Sequence, residues 1–302
     1  MRSSFRTLFA RRSTAALACR RNRLLCRPPG RASILSQLQL AMNGIPVSSL
    51  PQDRAPAKGF APNHPWDRNF YVVMVALAWL GILRGFGGDI AEHVAKHKPA
   101  YPIIVHFHAA VFVSWLTLFT VQVFLIRTKR LSVHKRLGFA LIWLAGLMAI
   151  IGPATALTVQ HRGMADPDAD PAFLSVQFTD IVAFVGLTTA AILLRKVPTV
   201  HKRLILLGTL YITDAGFARW LTDHWIHLLG FGFWPFWIAL YFASNFLVVL
   251  AGIYDLVTRQ RLHPAYLIGV AWIFANEMLA LSLYFSPAWL GYAKRIIAAW
   301  PW

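Results

Sequence analysis

The chain has 302 residues, of which 57% are hydrophobic and only 14% are charged, whereas an average soluble domain is roughly 25% charged. This composition excludes an ordinary soluble domain and predicts an all-α polytopic membrane protein. The net charge is +18, but many basic residues lie in an N-terminal arginine-rich segment or in short turns between apolar segments, where they set membrane orientation. We therefore expect a lipid bilayer as partner and no nucleic acid.

The N-terminal segment is basic and contains no acidic residue before Asp53. An N-terminus that is rich in Arg and Ser and free of Asp and Glu is typical of a mitochondrial transit peptide. Met42 offers an alternative start, in which residues 1–41 are an over-extended reading frame. In both cases we expect residues 1–62 to be a disordered tail without chemistry, and residues 63–302 to be the transmembrane domain.

Seven apolar segments follow the tail. The second, Pro102–Ile126, is long enough to cross a ~30 Å hydrocarbon core as a helix that rises ~1.5 Å per residue. The seven segments lie at about 70–86, 102–126, 137–159, 172–194, 203–221, 235–257 and 265–285. A final stretch from Pro287 holds Lys294 and Arg295 among aromatic residues, which is typical of an interfacial segment.

Basic residues are concentrated in alternate turns between these segments. They are Arg127, Lys129, Arg130, Lys135 and Arg136, then Arg195, Lys196, Lys202 and Arg203, then Arg259 and Arg261. The loop between the third and fourth segments instead contains Asp166, Asp168 and Asp170, with Arg162. The positive-inside rule therefore predicts a cytoplasmic N-terminus and an external C-terminus in a bacterial inner membrane, or the mitochondrial inner membrane if the tail is a transit peptide.

A short motif occurs twice, as Ser132-Val-His-Lys-Arg-Leu137 and as Thr199-Val-His-Lys-Arg-Leu204. Both copies precede an apolar segment, so segments 2–3 and 4–5 are interpreted as duplicated hairpins that form a four-helix core. Ser132 and Thr199 are expected to be the N-caps of their helices.

The basic residues of the two copies have two interpretations. They are His134, Lys135 and Arg136 in the first copy and His201, Lys202 and Arg203 in the second. Cations beside a helix N-terminus favour binding of lipid phosphates. Alternatively, His134 and His201 are a pair of axial ligands or take up protons.

The predicted topology brings ionisable residues of four segments to one depth in the outer half of the membrane. They are His106, His108, Asp180, Asp214, Arg219 and Glu277. A carboxylate in the bilayer core costs roughly 2.5–3.5 kcal/mol on insertion scales, so it should face the bundle interior and have a partner. Asp180 or Asp214 could simply pair with Arg219, but three acids exceed one arginine, which favours a functional site.

His108 is the better candidate ligand of the two histidines in this layer. It shares a helical stripe with Phe112, Trp115, Phe119 and Gln122, and such a stripe indicates an interior face. His106 lies roughly 200° away on the same helix. Four further histidines near the outer ends are weaker metal candidates, because a solvated helical face gives the same spacing as a metal clamp. They are His93, His97, His224 and His227.

The His-x-His pattern at the start of one segment, followed by the two His-Lys-Arg-Leu turns, resembles uncharacterised multipass inner-membrane proteins of alphaproteobacteria and other GC-rich bacteria. The resemblance covers about Pro65 to Arg259 and implies no established activity. There is a weaker likeness to four-helix b-type membrane cytochromes, which implies haem held by histidines on facing helices. The chain departs from that pattern because the second hairpin has no histidine at the positions that correspond to His106 and His108.

Three functions remain open. The first is a membrane redox or metal-binding protein with haem b, copper or a quinone at the outer polar layer. The second is a proton- or cation-coupled carrier that uses the carboxylates. The third is a structural accessory subunit of a membrane complex, or a homo-oligomer. Both cysteines, Cys19 and Cys26, lie in the tail, which excludes disulfides, thiolate-bound zinc and iron–sulfur clusters from the membrane domain. Nucleotide-binding loops and hydrolase motifs are absent from the sequence.

Overall fold

The computed structural model describes residue 60, residues 63–167 and residues 169–301. The expectations for the tail before Phe60, including the alternative start at Met42, lie outside the described residues, as does Asp168. Phe60 belongs with the unit that follows it, which contains all the helices discussed below.

Helices account for the regular structure, and the described residues contain no β-strand. The fourth helix is preceded by a short 3₁₀ turn, Pro171–Phe173. In chain order the helices are α1 (Asp67–Ala95), α2 (Ile103–Arg127), α3 (Leu131–Gly163), α4 (Leu174–Leu193), α5 (Pro198–Tyr211), α6 (Asp214–Leu229), α7 (Phe233–Arg259), α8 (Pro264–Tyr284) and α9 (Pro287–Ala299). The predicted all-α polytopic fold is confirmed.

Six of these helices are long and apolar enough to cross a membrane. They are α1, α2, α3, α4, α7 and α8. The shorter helices α5 and α6 meet at a bend of 43° and together meet the same test, so the described residues have seven candidate spans if this bent pair counts as one. The predicted fifth segment is therefore two helices with a break between them.

Several helices extend beyond the apolar segments that predicted them. α3 begins at Leu131 and includes the first copy of the repeated motif, and α1 continues to Ala95. Ser132 and Thr199 lie inside α3 and α5, and neither helix has a side-chain cap, so the prediction that they are N-caps was wrong. In α5 the reason is Pro198, because a proline at the first helical position starts the helix one residue before Thr199.

The predicted hairpins α2–α3 and α4–α5 pack together around Trp115. Its ring lies edge-on against Phe184 of α4, with the ring centroids 4.9 Å apart. The indole Nε1 donates to the Thr209 hydroxyl of α5 at 3.3 Å. Met148 of α3 is buried in the same cluster. Residues of all four helices thus share one core, as the repeat predicts.

The second half of the broken span packs closely on α1 through two glycines. A Cβ atom on Gly216 of α6 would lie 2.7 Å from the carbonyl oxygen of Gly81 and 2.9 Å from the Cα of Ile82. A side chain on Gly85 would meet the Gly216 backbone in the same way. Only glycine permits this approach, which fixes the position of α6 and of Asp214 at its start.

The C-terminal segment is a helix that packs across one end of the bundle. Ala293 and Ile297 of α9 are fully buried against Leu157 of α3 and Leu174 of α4. The Trp300 indole donates to the Thr158 hydroxyl at 3.0 Å. The segment is therefore part of the folded unit.

Candidate functional site

The break in the fifth span places Asp214 at the start of α6. Residues 212–213 form a turn between the helices. The Thr213 hydroxyl donates to the Leu210 carbonyl at 2.6 Å, and the Asp214 carboxyl accepts the Ala215 amide at 2.6 Å. Side chains that bond to nearby backbone groups compete with the helical hydrogen bonds, which explains a break in a segment that contains no proline.

Asp214 forms a pair with Asp180 of α4. The two carboxyl groups are close enough to interact with each other. Asp214 is 3% exposed, whereas Asp180 is partly exposed. Two carboxylates that are this close repel each other, and a proton on one of them removes the repulsion. The pair is therefore arranged to hold a proton.

Two tyrosines surround the partly exposed member of the pair. The Tyr211 hydroxyl donates to Oδ1 of Asp180 at 2.9 Å, and the Tyr241 hydroxyl lies 3.5 Å from the same oxygen. Their rings stack with centroids 6.2 Å apart. Both tyrosines are fully buried, so Asp180 is held by neutral donors from α5 and α7.

Glu277 of α8 is the third carboxyl group and is fully buried. Trp237 Nε1 donates to its Oε2 at 2.8 Å, and Asn245 Nδ2 lies 3.0 and 3.1 Å from its two oxygens. It is close enough to interact electrostatically with Asp180 and Asp214. The three acids of α4, α6 and α8 thus lie close enough to interact, and neutral groups donate their hydrogen bonds.

Arg219, the expected partner of these acids, forms its ion pair with another carboxylate, although it interacts electrostatically with Asp214. Its Nε is 3.6 Å from Oδ2 of Asp89 on α1, and both side chains are substantially exposed. Its guanidinium lies 4.3 Å from the ring centroid of Phe86. No Lys or Arg within the described ranges forms an ion pair with Asp180, Asp214 or Glu277.

The histidines of the predicted layer have different surroundings. His106 is exposed, whereas His108 is partly buried and stacks on Phe112 with ring centroids 4.0 Å apart. The buried Nδ1 of His108 has no hydrogen-bond partner. The ring contact of His108 is thus with a residue of its own helix, α2.

The outer histidines also lie apart from the acids. His93 stacks on Tyr101 with centroids 4.0 Å apart and lies 3.0 Å from the Pro99 carbonyl through Nε2. His97, His224 and His227 are exposed. Throughout the part of the chain that the structure describes, no group of three or more His, Cys, Asp or Glu side chains could hold a metal ion.

The two copies of the repeated motif differ in their contacts. Lys135 and Arg136 of the first copy are exposed, as a lipid-phosphate anchor requires. In the second copy, Lys202 lies 2.8 Å from Asp67, and Arg203, only 5% exposed, binds Asp255. Arg203 is therefore directed into the protein and away from the lipid.

The histidines of the motif have different hydrogen-bond partners. His201 Nδ1 lies 2.8 Å from the Ala191 carbonyl. The backbone carbonyl of His134 accepts a hydrogen bond from Gln122 at 3.1 Å, while its buried Nδ1 has no partner. His263, just before α8, is buried nearby, and this burial, reinforced by Arg203, lowers its pKa.

Four residues of the site were not identified from the sequence. They are Tyr211, Tyr241, Trp237 and Asn245. Three of them follow one another at four-residue steps along α7, and this spacing places them on one helix face. A polar and aromatic face in an otherwise apolar span is the signal that could have identified them.

Comparison of the chain with models of protein families, with curated proteins and with solved structures finds no match.

Proposed function

We propose that the chain is a membrane carrier that loads and releases a proton at the Asp180–Asp214 pair. The main support is the close approach of the two carboxyl groups at the break of the fifth span. Interrupted helices at mid-membrane are the usual construction of binding sites in secondary transporters. A single proton satisfies the pair, since no Lys or Arg in the described ranges forms an ion pair with it.

The surroundings of the pair support this function over a purely structural one. A structural ion pair would join the acids to a cation and remove the need for a mobile proton. Here the donors to Asp180 are tyrosine hydroxyls, which can also accept and pass protons. A monovalent cation that competes with the proton would use the same carboxylates.

The proposed orientation follows from the basic turns. With the positive-inside rule, the N-terminus and the turns that contain Lys135 and Lys196 face the cytoplasm of a bacterium, and the C-terminus is external. The carboxyl pair then lies nearer the external side, so external protons reach it first.

The test of proton loading is infrared spectroscopy of the protein in lipid nanodiscs over a pH series. The carbonyl band of a protonated carboxylic acid should appear and vanish with pH in the unaltered protein. Asp214→Asn should remove it or shift it strongly, because an amide does not titrate. Glu92→Gln, at an exposed carboxylate, should leave it unchanged.

Proton movement is measured next in liposomes that enclose a pH-sensitive dye. When a pH gradient is imposed, the dye fluorescence should change in liposomes that contain the unaltered protein, either without further addition or after Na⁺ or K⁺ is added. It should not change with Asp180→Asn or Asp214→Asn. If neither a titrating carboxyl band nor any proton movement is observed, the carrier proposal is wrong, and the structural accessory subunit remains as the function.

A redox or metal-binding protein is the second candidate, and it is favoured by the unbonded Nδ1 of His108. That nitrogen could bind haem iron or copper, but the described residues include no group of three or more His, Cys, Asp or Glu side chains that could hold a metal ion. The absorption spectrum and elemental content of the purified protein test this candidate. A metal or chromophore that is lost in His108→Ala and retained in His106→Ala would establish it.

A further inference from the structure

The end of the bundle that carries the basic turns is closed by a cluster of charged side chains. It consists of Asp67, Lys202, Arg203, Asp255 and Arg259, and is called the ion-pair cluster below. Arg203 Nε and Nη2 donate to the two carboxylate oxygens of Asp255, both at 2.6 Å. Such a bidentate geometry is the strongest form of a charge-assisted hydrogen bond.

Asp67, the first residue of α1, accepts hydrogen bonds from two further helices. Lys202 of α5 lies 2.8 Å from its Oδ2, and Arg259 of α7 lies 2.9 Å from its Oδ1. The Tyr254 hydroxyl donates to Oδ1 at 2.5 Å. Arg259 also lies 3.5 Å from Asp255, so the two carboxylates and three cations join α1, α5 and α7 in one network.

The helices that carry the ion-pair cluster also carry the donors to the carboxyl site. α5 holds Lys202 and Arg203 near its start and Tyr211 at its end. α7 holds Asp255 near one end and Tyr241 some fourteen residues before it, or ~21 Å at ~1.5 Å per residue. Movement of α5 against α7 at the cluster would therefore be transmitted to the tyrosines that hold Asp180.

A small cavity lies on the seam between α5 and α7, and α1 and α8 also contribute to its wall. It has a volume of ≈ 10 Å³, and Arg203, Asp255, Tyr254 and Ala251 are among the residues that line it. A buried water needs about 10–15 Å³ and polar partners. The seam thus admits one water at most in this structure, and the bonded charges close it.

We propose that the ion-pair cluster is a gate that seals the carboxyl site from the basic-turn end of the membrane. This inference rests on the proposed carrier function and names the regulation of the same site. Breaking the cluster separates α5 from α7 and lets water follow the seam. The flexible point is the break at residues 212–213, because α6 is held to α1 by the close contact of Gly216 with Gly81 and Ile82.

Cysteine labelling in lipid nanodiscs tests the gate. Cys19 and Cys26 are replaced by serine, and Ala251→Cys, at a buried position on the seam, is the reporter for a charged thiol reagent. Asp67→Asn and Asp255→Asn should each raise the labelling rate about tenfold, which corresponds to ~1.4 kcal/mol less stability of the closed state. Glu92→Gln is the matched control, because it removes an ion pair at the opposite end of α1, and should leave the rate unchanged.

Loss of one partner from a buried ion pair can unfold a protein, so each variant is first checked by thermal melting. The double variant Arg203→Gln with Asp255→Asn removes both charges of this pair, so that neither is left buried without its partner. This double variant is used in place of any single variant that does not fold. Equal labelling in all variants, or fast labelling with the cluster intact, would overturn the gate. Labelling does not depend on proton loading, which the infrared titration measures, so failure of the gate and failure of the carrier are distinguishable.

Discussion

The Tyr211 hydroxyl donates to Oδ1 of Asp180 at 2.9 Å, across the contact between α5 and α4. Tyr211 is the last residue of α5, and the chain breaks directly after it before Asp214 begins α6. One hydrogen bond therefore connects the break in the fifth span to the carboxyl pair, and the position of Asp180 depends on the conformation of α5.

Tyr211→Phe removes this bond while keeping the ring. We expect a loss of about 1 kcal/mol of unfolding free energy, which is typical of one buried hydrogen bond. Tyr241→Phe should cost less, because its hydroxyl lies 3.5 Å from Asp180. Tyr292→Phe, at an exposed position, is the control. Thermal melting in detergent measures all three, and an equal effect of Tyr211→Phe and Tyr292→Phe would contradict the assignment.

Gly216→Ala should separate α6 from α1, because its Cβ would lie 2.7 Å from the Gly81 carbonyl oxygen. Overpacking of this kind costs about 1–3 kcal/mol, and the melting temperature should fall accordingly. Gly87→Ala, on α1 with open space around the new Cβ, should be neutral or stabilising. If both changes were equally tolerated, the close approach would not determine the position of α6.

The two copies of the repeated motif should respond differently to loss of their arginine. Arg203→Gln leaves Asp255 without its bidentate partner, and breaking a buried ion pair in this way costs ~3–5 kcal/mol. Arg136→Gln alters an exposed side chain and should change the unfolding free energy by less than ~0.5 kcal/mol. Protein yield and melting temperature measure the difference. Similar losses in the two variants would show that Arg136 also has a structural partner.

Reporter fusions test the orientation. A fusion after Ile126 or Leu194 should be active in the cytoplasm, and one within residues 166–170 should be active outside the membrane, because the basic turns stay on the cytoplasmic side. An inverted result at either basic turn would place the carboxyl pair nearer the cytoplasm and reverse the direction of proton access proposed above.

Two deletions test the N-terminal segment. Removal of residues 1–41 should leave membrane insertion and protein abundance unchanged in a bacterial host, because this part contains no apolar span. Removal of residues 1–62 should lower the melting temperature, since the Phe60 ring lies 4.5 Å from the Arg203 guanidinium and 4.7 Å from the His263 ring. A requirement for residues 1–41 in insertion would indicate a targeting signal.

The amino-acid sequence by itself determined the all-helical membrane fold and the order and approximate positions of its apolar helices. Apolar runs and basic turns are local features, and the bilayer thickness converts them directly into helices. The free-energy cost of placing a carboxylate in the bilayer core likewise predicted that Asp180, Asp214 and Glu277 would face the interior of the bundle and lie together. The tertiary structure decided which groups are partners. Arg219 binds Asp89 because α6 packs beside α1, and Tyr241, Trp237 and Asn245 reach the acids because one face of α7 lies against α4 and α8.

The break before Asp214 could also be recognised only from the tertiary structure. Residues 203–221 are continuously apolar enough to suggest one helix, and hydropathy does not record competition between side chains and backbone for hydrogen bonds. Only the packed arrangement shows that Thr213 and Asp214 bond to their own backbone while Asp214 meets Asp180. The identical motifs around Arg136 and Arg203 likewise differ because only Arg203 faces a carboxylate, Asp255, on a helix distant in sequence.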